Sequence, residues 1–333
     1  PKVYYAKDLP HLLQDRMNAM PGDVRVNDTA RQVFLAAVAH NTMADEPNAP
    51  PIDVVNDIDD ERAPPWEFHY TNKMWLGEGV PEPDLENLEG CSCLGRCNPN
   101  NKNCACVQRQ AQHWSEGGFL YDANGKLKRN VDAGIPIFEC NDLCGCLEDC
   151  PNKVVQRGRQ YPVVIKKTLN KGWGVFAASK KIPKNTYIGI YSGELLNDTE
   201  SEARGRVYDA FGRTYLFDLD FYYVKNQEHP EDFEPYCVDA YHAGNFTRFL
   251  NHSCDPNCIL RPVYINEANP RIPFLTLWTA KDVREDEELT FSYYGEVDDE
   301  DIDQEETEET VRKAAVYAKC YCGAKKCRKF LFG

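Results

Sequence analysis

The chain has 333 residues, 42% of them hydrophobic and 27% charged, which is enough for two or three modules or for one large core with annexes. A formal charge of −15 argues against a binder driven mainly by nucleic-acid phosphates, and it suits a basic partner such as a Lys/Arg-rich tail. No run approaches the ~18 apolar residues of a membrane span, and the start at Pro1 without Met leads us to expect a segment of a longer protein.

Residues 1–50 read as a peripheral arm. Asn27 is placed to cap a helix through Ala30, Val33, Phe34, Ala37 and Val38, an apolar stripe at helical spacing expected to pack on the body. Residues 44–65, rich in Asp, Asn and Pro, read as a linker. A cysteine-rich stretch follows, interrupted by a loop over 107–139. There Asn124-Gly125 should close a hairpin between 119–121 and 126–128. From about residue 160, short β-rich runs alternate with turn residues: 163–165, 187–191, 215–219, 274–279 and 289–293. Thr199 with Glu202 three residues on signals one helix start. Residues 296–310 are strongly acidic and expected to be mobile. The chain closes on Cys320-x-Cys322-x4-Cys327 and an apolar end, Phe330-Leu331-Phe332.

The cysteines carry the first chemistry. They read Cys91-x-Cys93-x3-Cys97-x6-Cys104-x-Cys106, then Cys140-x3-Cys144-x-Cys146-x3-Cys150. Nine is odd, so complete internal disulfide pairing is impossible, and the C-x-C pairs are too close for easy bridging. Thiolates sharing metal fit better. Three zinc ions with four sulfurs each need twelve bonds, so three of the nine sulfurs would bridge. The C-terminal trio Cys320, Cys322 and Cys327 lacks a fourth ligand, with Cys237, Cys254, Cys258 and the histidines as candidates. Cys254 sits in a segment, 248–257, dense in polar side chains yet set between apolar strands, which suggests a site. A zinc joining Cys254 to the trio would fold the tail over that site as a lid.

The run Arg248-Phe249-Leu250-Asn251-His252-Ser253-Cys254 resembles the signature of SET-domain lysine methyltransferases. Gly172-Trp173-Gly174 resembles that family's cofactor turn, and Glu288-Leu289-Thr290-Phe291-Ser292-Tyr293-Tyr294 its catalytic strand. The nine cysteines resemble the pre-SET cluster and the final trio the post-SET module. Cys150-Pro151-Asn152, followed by Val154-Val155-Gln156-Arg157-Gly158, also fits. The combination resembles the Su(var) heterochromatin enzymes that methylate histone H3 at lysine 9, in phrasing closest to the fungal members.

That resemblance implies a mostly β fold with short helices, built as a SET domain of small sheets with a pseudoknot between two zinc modules. The boundaries would be an arm at 1–50, a flank at 51–88, the pre-SET cluster at 89–152, the SET domain at 153–296, an acidic loop at 297–318 and the post-SET module at 319–333. It implies S-adenosylmethionine held by Gly172, Trp173 through its backbone and by stacking, Gly174, Tyr215, Arg248, Asn251, His252 and Phe332. The two glycines would let the backbone approach the ligand. Tyr293 would be the catalytic tyrosine and Tyr191 a second one lining the lysine channel. Phe291 would set di- and trimethylation. Zinc would number three in the first cluster and one at Cys254, Cys320, Cys322 and Cys327. The substrate would be the histone H3 tail, with Asp220 pairing the arginine before the target lysine and the peptide adding as a strand beside 246–249. A nuclear, chromatin-bound monomer with chromatin-associated partners follows, with no membrane and no sequence-specific nucleic-acid contact. Phe332 stands where the family often has Trp, and Ser292 where it has Asp. The acidic stretch is expected to occupy the peptide groove, with Lys313 and Lys319 close by. An inactive zinc-rich scaffold and a SET enzyme with another target stay open.

Overall fold

The computed structural model describes residues 2–10, 28–64, 68–132, 134–210, 215–221, 234–294 and 319–331. Asn27, the acidic stretch, Lys313 and Phe332 lie outside these. Among the described residues the helices are α1 (Asp28–Asp45), α2 (Ala105–Ala111) and α3 (Asp198–Ala210), with strands of two to seven residues around them. The fold is mostly β, as expected.

Short runs of β-branched and aromatic residues separated by turns cannot form one wide sheet, and several small ones result. A five-stranded sheet runs Ile52–Val55, Val163–Lys167, Trp173–Ala177, Glu288–Phe291, Asn251–His252. Its last pair is parallel, with Asn251 opposite Thr290 and His252 opposite Phe291. A second sheet runs Trp75–Leu76, Glu194–Leu196, Cys237–Asp239, Leu216–Asp218, and a third Ile137–Phe138, Cys258–Tyr264, Phe274–Thr279, Tyr187–Ile190. Val163, Ile165, Val175, Leu275, Leu277 and Leu289 are buried between them.

The stripe on α1 packs as expected. Phe34 (0% exposed) and Val38 enter the main core beside Phe68 and Phe249. The hairpin also forms: Gly125 takes φ +73°, and Asp122 Nα and Lys128 Nα donate to the Lys126 and Leu120 carbonyls at 2.8 and 2.9 Å. Asp122 fixes the turn by accepting from the Asn124 and Lys126 amides. The start of α3 differs from expectation. Asn197, not Thr199, accepts the Glu200 amide at 2.9 Å, so the cap lies two residues earlier.

The cysteine module has a core of its own made largely of sulfur. Seven of its nine cysteines are buried, with Val107 and Phe119 as the other buried apolar members. With so little hydrocarbon inside, such a module suits stabilisation by bound metal. Glu139 ties it to the third sheet by donating its amide to the Tyr264 carbonyl at 3.0 Å, while its fully buried carboxylate accepts from the Val154 and Val155 amides at 2.7 Å and from the Tyr121 hydroxyl at 2.9 Å. Burial raises the Glu139 pKa, against the pull of these donors.

Candidate active site and metal centres

The site forms where the parallel pair meets the turn at 172–174. Strand 251–252 is too short to hold itself, so side chains fix it. Asn251 Nδ2 donates to the Trp173 carbonyl (3.1 Å) and to Glu288 Oε1 (2.8 Å). Two glycines serve this packing. Gly172 takes φ +69°, a left-handed conformation. A Cβ at Gly174 would lie 2.7 Å from Glu288 Oε1 and 3.0 Å from Asn251 Nδ2. A side chain at Gly174 would therefore displace the Glu288 carboxylate and the Asn251 amide from their present positions. The Trp173 indole is 7% exposed and its Nε1 donates to Glu61 at 3.1 Å. Lys167 Nζ stands 5.5 Å from its ring. These contacts fix the orientation of the ring beside the turn.

Arg248 is held by three rings, with its Cζ 4.0 Å from the Phe68 centroid, 4.3 Å from Tyr215 and 5.1 Å from Phe249. Its Nε donates to the Ala240 carbonyl at 2.8 Å. His252 Nδ1 accepts the Tyr293 amide at 3.1 Å, which places the proton of the neutral ring on Nε2, 3.3 Å from Cys254 Sγ. Burial, then the Arg328 charge, pushes His252 down to about 4, so it is neutral at pH 7.

Four rings close one side. Phe291 lies 5.0 Å from Tyr293, 6.3 Å from Tyr191 and 6.1 Å from Phe217, and Phe217 is 6.2 Å from Tyr191. The Tyr293 hydroxyl donates to the Leu250 carbonyl at 3.0 Å, and the Tyr191 hydroxyl to the Tyr215 carbonyl at 3.1 Å. Burial raises both phenols well above their ordinary pKa, with each charge also opposed by a neighbouring tyrosine. Both stay protonated and act as hydrogen-bonding dipoles rather than bases.

Gly172, Trp173, Gly174, Tyr191, Tyr215, Arg248, Asn251, His252, Phe291 and Tyr293 are thus brought together. Asp220 is exposed. Residues Phe246–Phe249 form a buried 3₁₀ turn, not the strand edge expected for peptide addition. An Asn245 side chain that accepts the Thr247 amide winds the backbone inward there. Sequence reading missed Phe217, Glu288 and Glu61. Phe217 sits in a run whose alternation could have flagged it; Glu61 lies in a linker and gave no signal.

The cysteine sulfurs fit metal. Neighbouring Sγ atoms stand 3.6 Å (Cys91–Cys97), 3.8 Å (Cys97–Cys140), 3.5 Å (Cys106–Cys144) and 3.8 Å (Cys140–Cys150) apart. A tetrahedral site with Zn–S of ~2.3 Å has edges of about 3.8 Å. Sets of four within 4.8 Å are Cys91, Cys106, Cys140, Cys144; Cys91, Cys97, Cys140, Cys146; and Cys91, Cys93, Cys97, Cys104. A separate set joins Cys254 to Cys320, Cys322 and Cys327, while Cys237 and Cys258 are buried elsewhere in the core.

A Pre-SET motif matches residues 44–153 and a SET domain residues 172–294. The chain is 40% identical over 306 residues to a histone-lysine N-methyltransferase, H3 lysine-9 specific, of Cryptococcus neoformans, covering 82% of this chain and 16% of that one. It thus spans about a sixth of that curated relative's length. The Neurospora SET domain protein DIM-5, a histone lysine methyltransferase, superposes with a TM-score of 0.65 at 32% identity, over 75% of this chain and 97% of that structure. Arabidopsis thaliana SUVH6 in complex with SAM superposes at 0.63 with 32% identity, over 85% and 53%. With its sulfur clusters, its 172–174 turn and its paired 251–252 and 288–291 strands in that arrangement, the chain belongs to the histone-lysine methyltransferases of the Su(var) type, which join a Pre-SET motif to a SET domain.

Proposed function

We propose that the protein methylates lysine 9 of histone H3, to the di- and trimethyl state, in nuclear heterochromatin. The observation that carries this reading is the four-ring wall of Tyr191, Phe217, Phe291 and Tyr293 set directly against the Asn251–His252 strand. An apolar channel beside a cofactor shelf is what amine methylation requires. When bound, S-adenosylmethionine supplies an activated methyl group. The residues that would hold it are Arg248, Asn251 and His252, with the backbone at 172–174 and Tyr215.

The lysine amine must be neutral to attack. At pH 7 deprotonation from a pKa of ~10.4 costs about 4.6 kcal/mol. The aromatic wall lowers that cost by withholding water from the ammonium. Tyr191 and Tyr293, both neutral, would orient the amine through their hydroxyls and leave its proton to depart to water. Phe291 presents no hydroxyl, so a methylated amine keeps room to rotate and accept further methyl groups. Asp220 would meet the arginine preceding the target.

The metal count is part of the proposal. Cys91 recurs in three of the sulfur sets and Cys97 and Cys140 in two each, which suits them as bridges. Three zinc ions would then complete their shells with Cys93 and Cys104, Cys106 and Cys144, and Cys146 and Cys150. A fourth would join Cys254 to Cys320, Cys322 and Cys327. The test is incubation with cofactor and an H3 tail, native or with the target lysine replaced, read by mass spectrometry. Di- and trimethylation confined to the native tail is expected; label on the replaced tail would refute the assignment.

A further inference from the structure

The body of the protein pairs many of its cations with acids. Lys166 meets Asp286, Lys167 meets Glu61, Lys171 meets Glu288, Arg204 meets Glu194 and Asp239, and Lys281 meets Asp255. The C-terminal module is built the other way. Residues 319–331 carry Lys319, Lys325, Lys326, Arg328 and Lys329 and no carboxylate, in a chain of net charge −15. Lys319, Lys325, Arg328 and Lys329 make no ion pair among the described residues, and the three lysines of these are exposed. Two tyrosines stand among them. Tyr321 is 46% exposed with Lys319 Nζ 5.2 Å from its ring, and Tyr294 is 37% exposed with Arg328 4.8 Å from its ring.

A zinc tetrathiolate would carry about −2, so the module would keep a surplus of about +3 when metallated. Like charges held in one small module repel one another, and an anionic partner relieves that repulsion. Unpaired, exposed cations gathered in one module suit a polyanion whose backbone they track.

We infer that this module is a contact surface for the phosphate backbone of duplex DNA lying beside the substrate tail. This rests on the proposed substrate, because histones hold duplex DNA wrapped against themselves. The contact positions the enzyme and reads no sequence. With a body of strongly negative charge, the module binds free duplex weakly. Its effect appears once the tail is engaged, when the neighbouring phosphates are at high effective concentration.

The test compares the wild-type chain with a Lys325→Gln/Lys329→Gln double variant and a Lys325→Arg/Lys329→Arg control. Substrates are an H3 tail peptide and a mononucleosome, across about 50 to 200 mM salt. On peptide, kcat/KM should match wild type for both variants, which also reports an intact fold. On nucleosomes the Gln variant should lose about tenfold at low salt, and its log–log salt slope should shrink by about 1.8, or ~0.9 per lost phosphate contact. The Arg variant should behave as wild type. An unchanged nucleosome-to-peptide ratio would overturn the inference. Equal losses on both substrates would overturn it too, by giving the cations an internal role. Titration of a labelled duplex separates the two readings. If the wild type leaves the H3 peptide unmethylated, the proposed substrate fails, while weaker duplex binding by the Gln variant still registers the contact. Preference for single-stranded RNA over duplex would refute the partner.

Discussion

The hydroxyl of Tyr293 has one donor bond, to the Leu250 carbonyl, and a raised pKa caused first by burial. It can polarise and orient an amine but cannot serve as a strong base at neutral pH. Tyr293→Phe is expected to cut kcat by about 10²-fold or more, the scale of one lost oriented donor. Cofactor affinity measured by calorimetry should be retained; near-normal turnover would remove Tyr293 from the mechanism. The sign of the pH dependence follows from the same residues. The neutral fraction of the substrate amine grows with pH, so kcat/KM should climb. Tyr191 and Tyr293 are both raised, so no tyrosinate limb should pull the profile down below about pH 10. Phe291→Tyr adds a hydroxyl beside Tyr191 and Tyr293, and the product should shift towards monomethyl lysine. Mass spectra still dominated by trimethyl product would show that this position does not set the product.

Among the secondary-structure elements, α1 reaches the site indirectly. Phe34 lies 6.5 Å from Phe68 and 6.4 Å from Phe249, and those two rings flank Arg248. Phe34→Ala would empty a fully buried position and cost about 3–5 kcal/mol of stability. It should also loosen Arg248, raising KM for the cofactor more than it lowers kcat, and Phe34→Leu should restore most of both. A lowered melting temperature with unchanged cofactor KM would confine α1 to a supporting role. The stripe on α1 and the hairpin at Asn124-Gly125 were legible in the sequence because their determinants are local: helical spacing and turn residues. The cap of α3 was misplaced by two residues, since Asn197 and Thr199 both have the chemistry of a cap and only the backbone path chooses. The peptide edge expected beside Phe246–Phe249 is instead a 3₁₀ turn capped by Asn245, whose side chain accepts the Thr247 amide.

For the whole molecule, the two kinds of sulfur site differ in access. The central sulfurs of Cys91, Cys97 and Cys140 are buried, whereas Cys254, Cys322 and Cys327 are only partly so. A chelator should therefore open the C-terminal site first. Activity should disappear with release of about one zinc per chain, ahead of the remaining metal and ahead of global unfolding followed by circular dichroism. Release of all zinc in a single phase together with unfolding would contradict a separate lid.

By itself the sequence determined the chemistry available: an odd, closely spaced cysteine set that excludes full disulfide pairing, a three-ligand tail, and short motifs naming the tyrosines and the glycine turn. The first two follow from counting and local spacing, the last from the resemblance to SET-domain enzymes. Only the tertiary structure decided which distant residues meet. It chose Cys254, more than sixty positions away in the chain, over Cys237 and Cys258 to stand against the C-terminal trio, as the resemblance implied. It brought Phe217 into the ring wall and set the Glu288 carboxylate against Gly174. Such meetings depend on how separate sheets pack, a sum of many weak long-range contacts that no local pattern encodes.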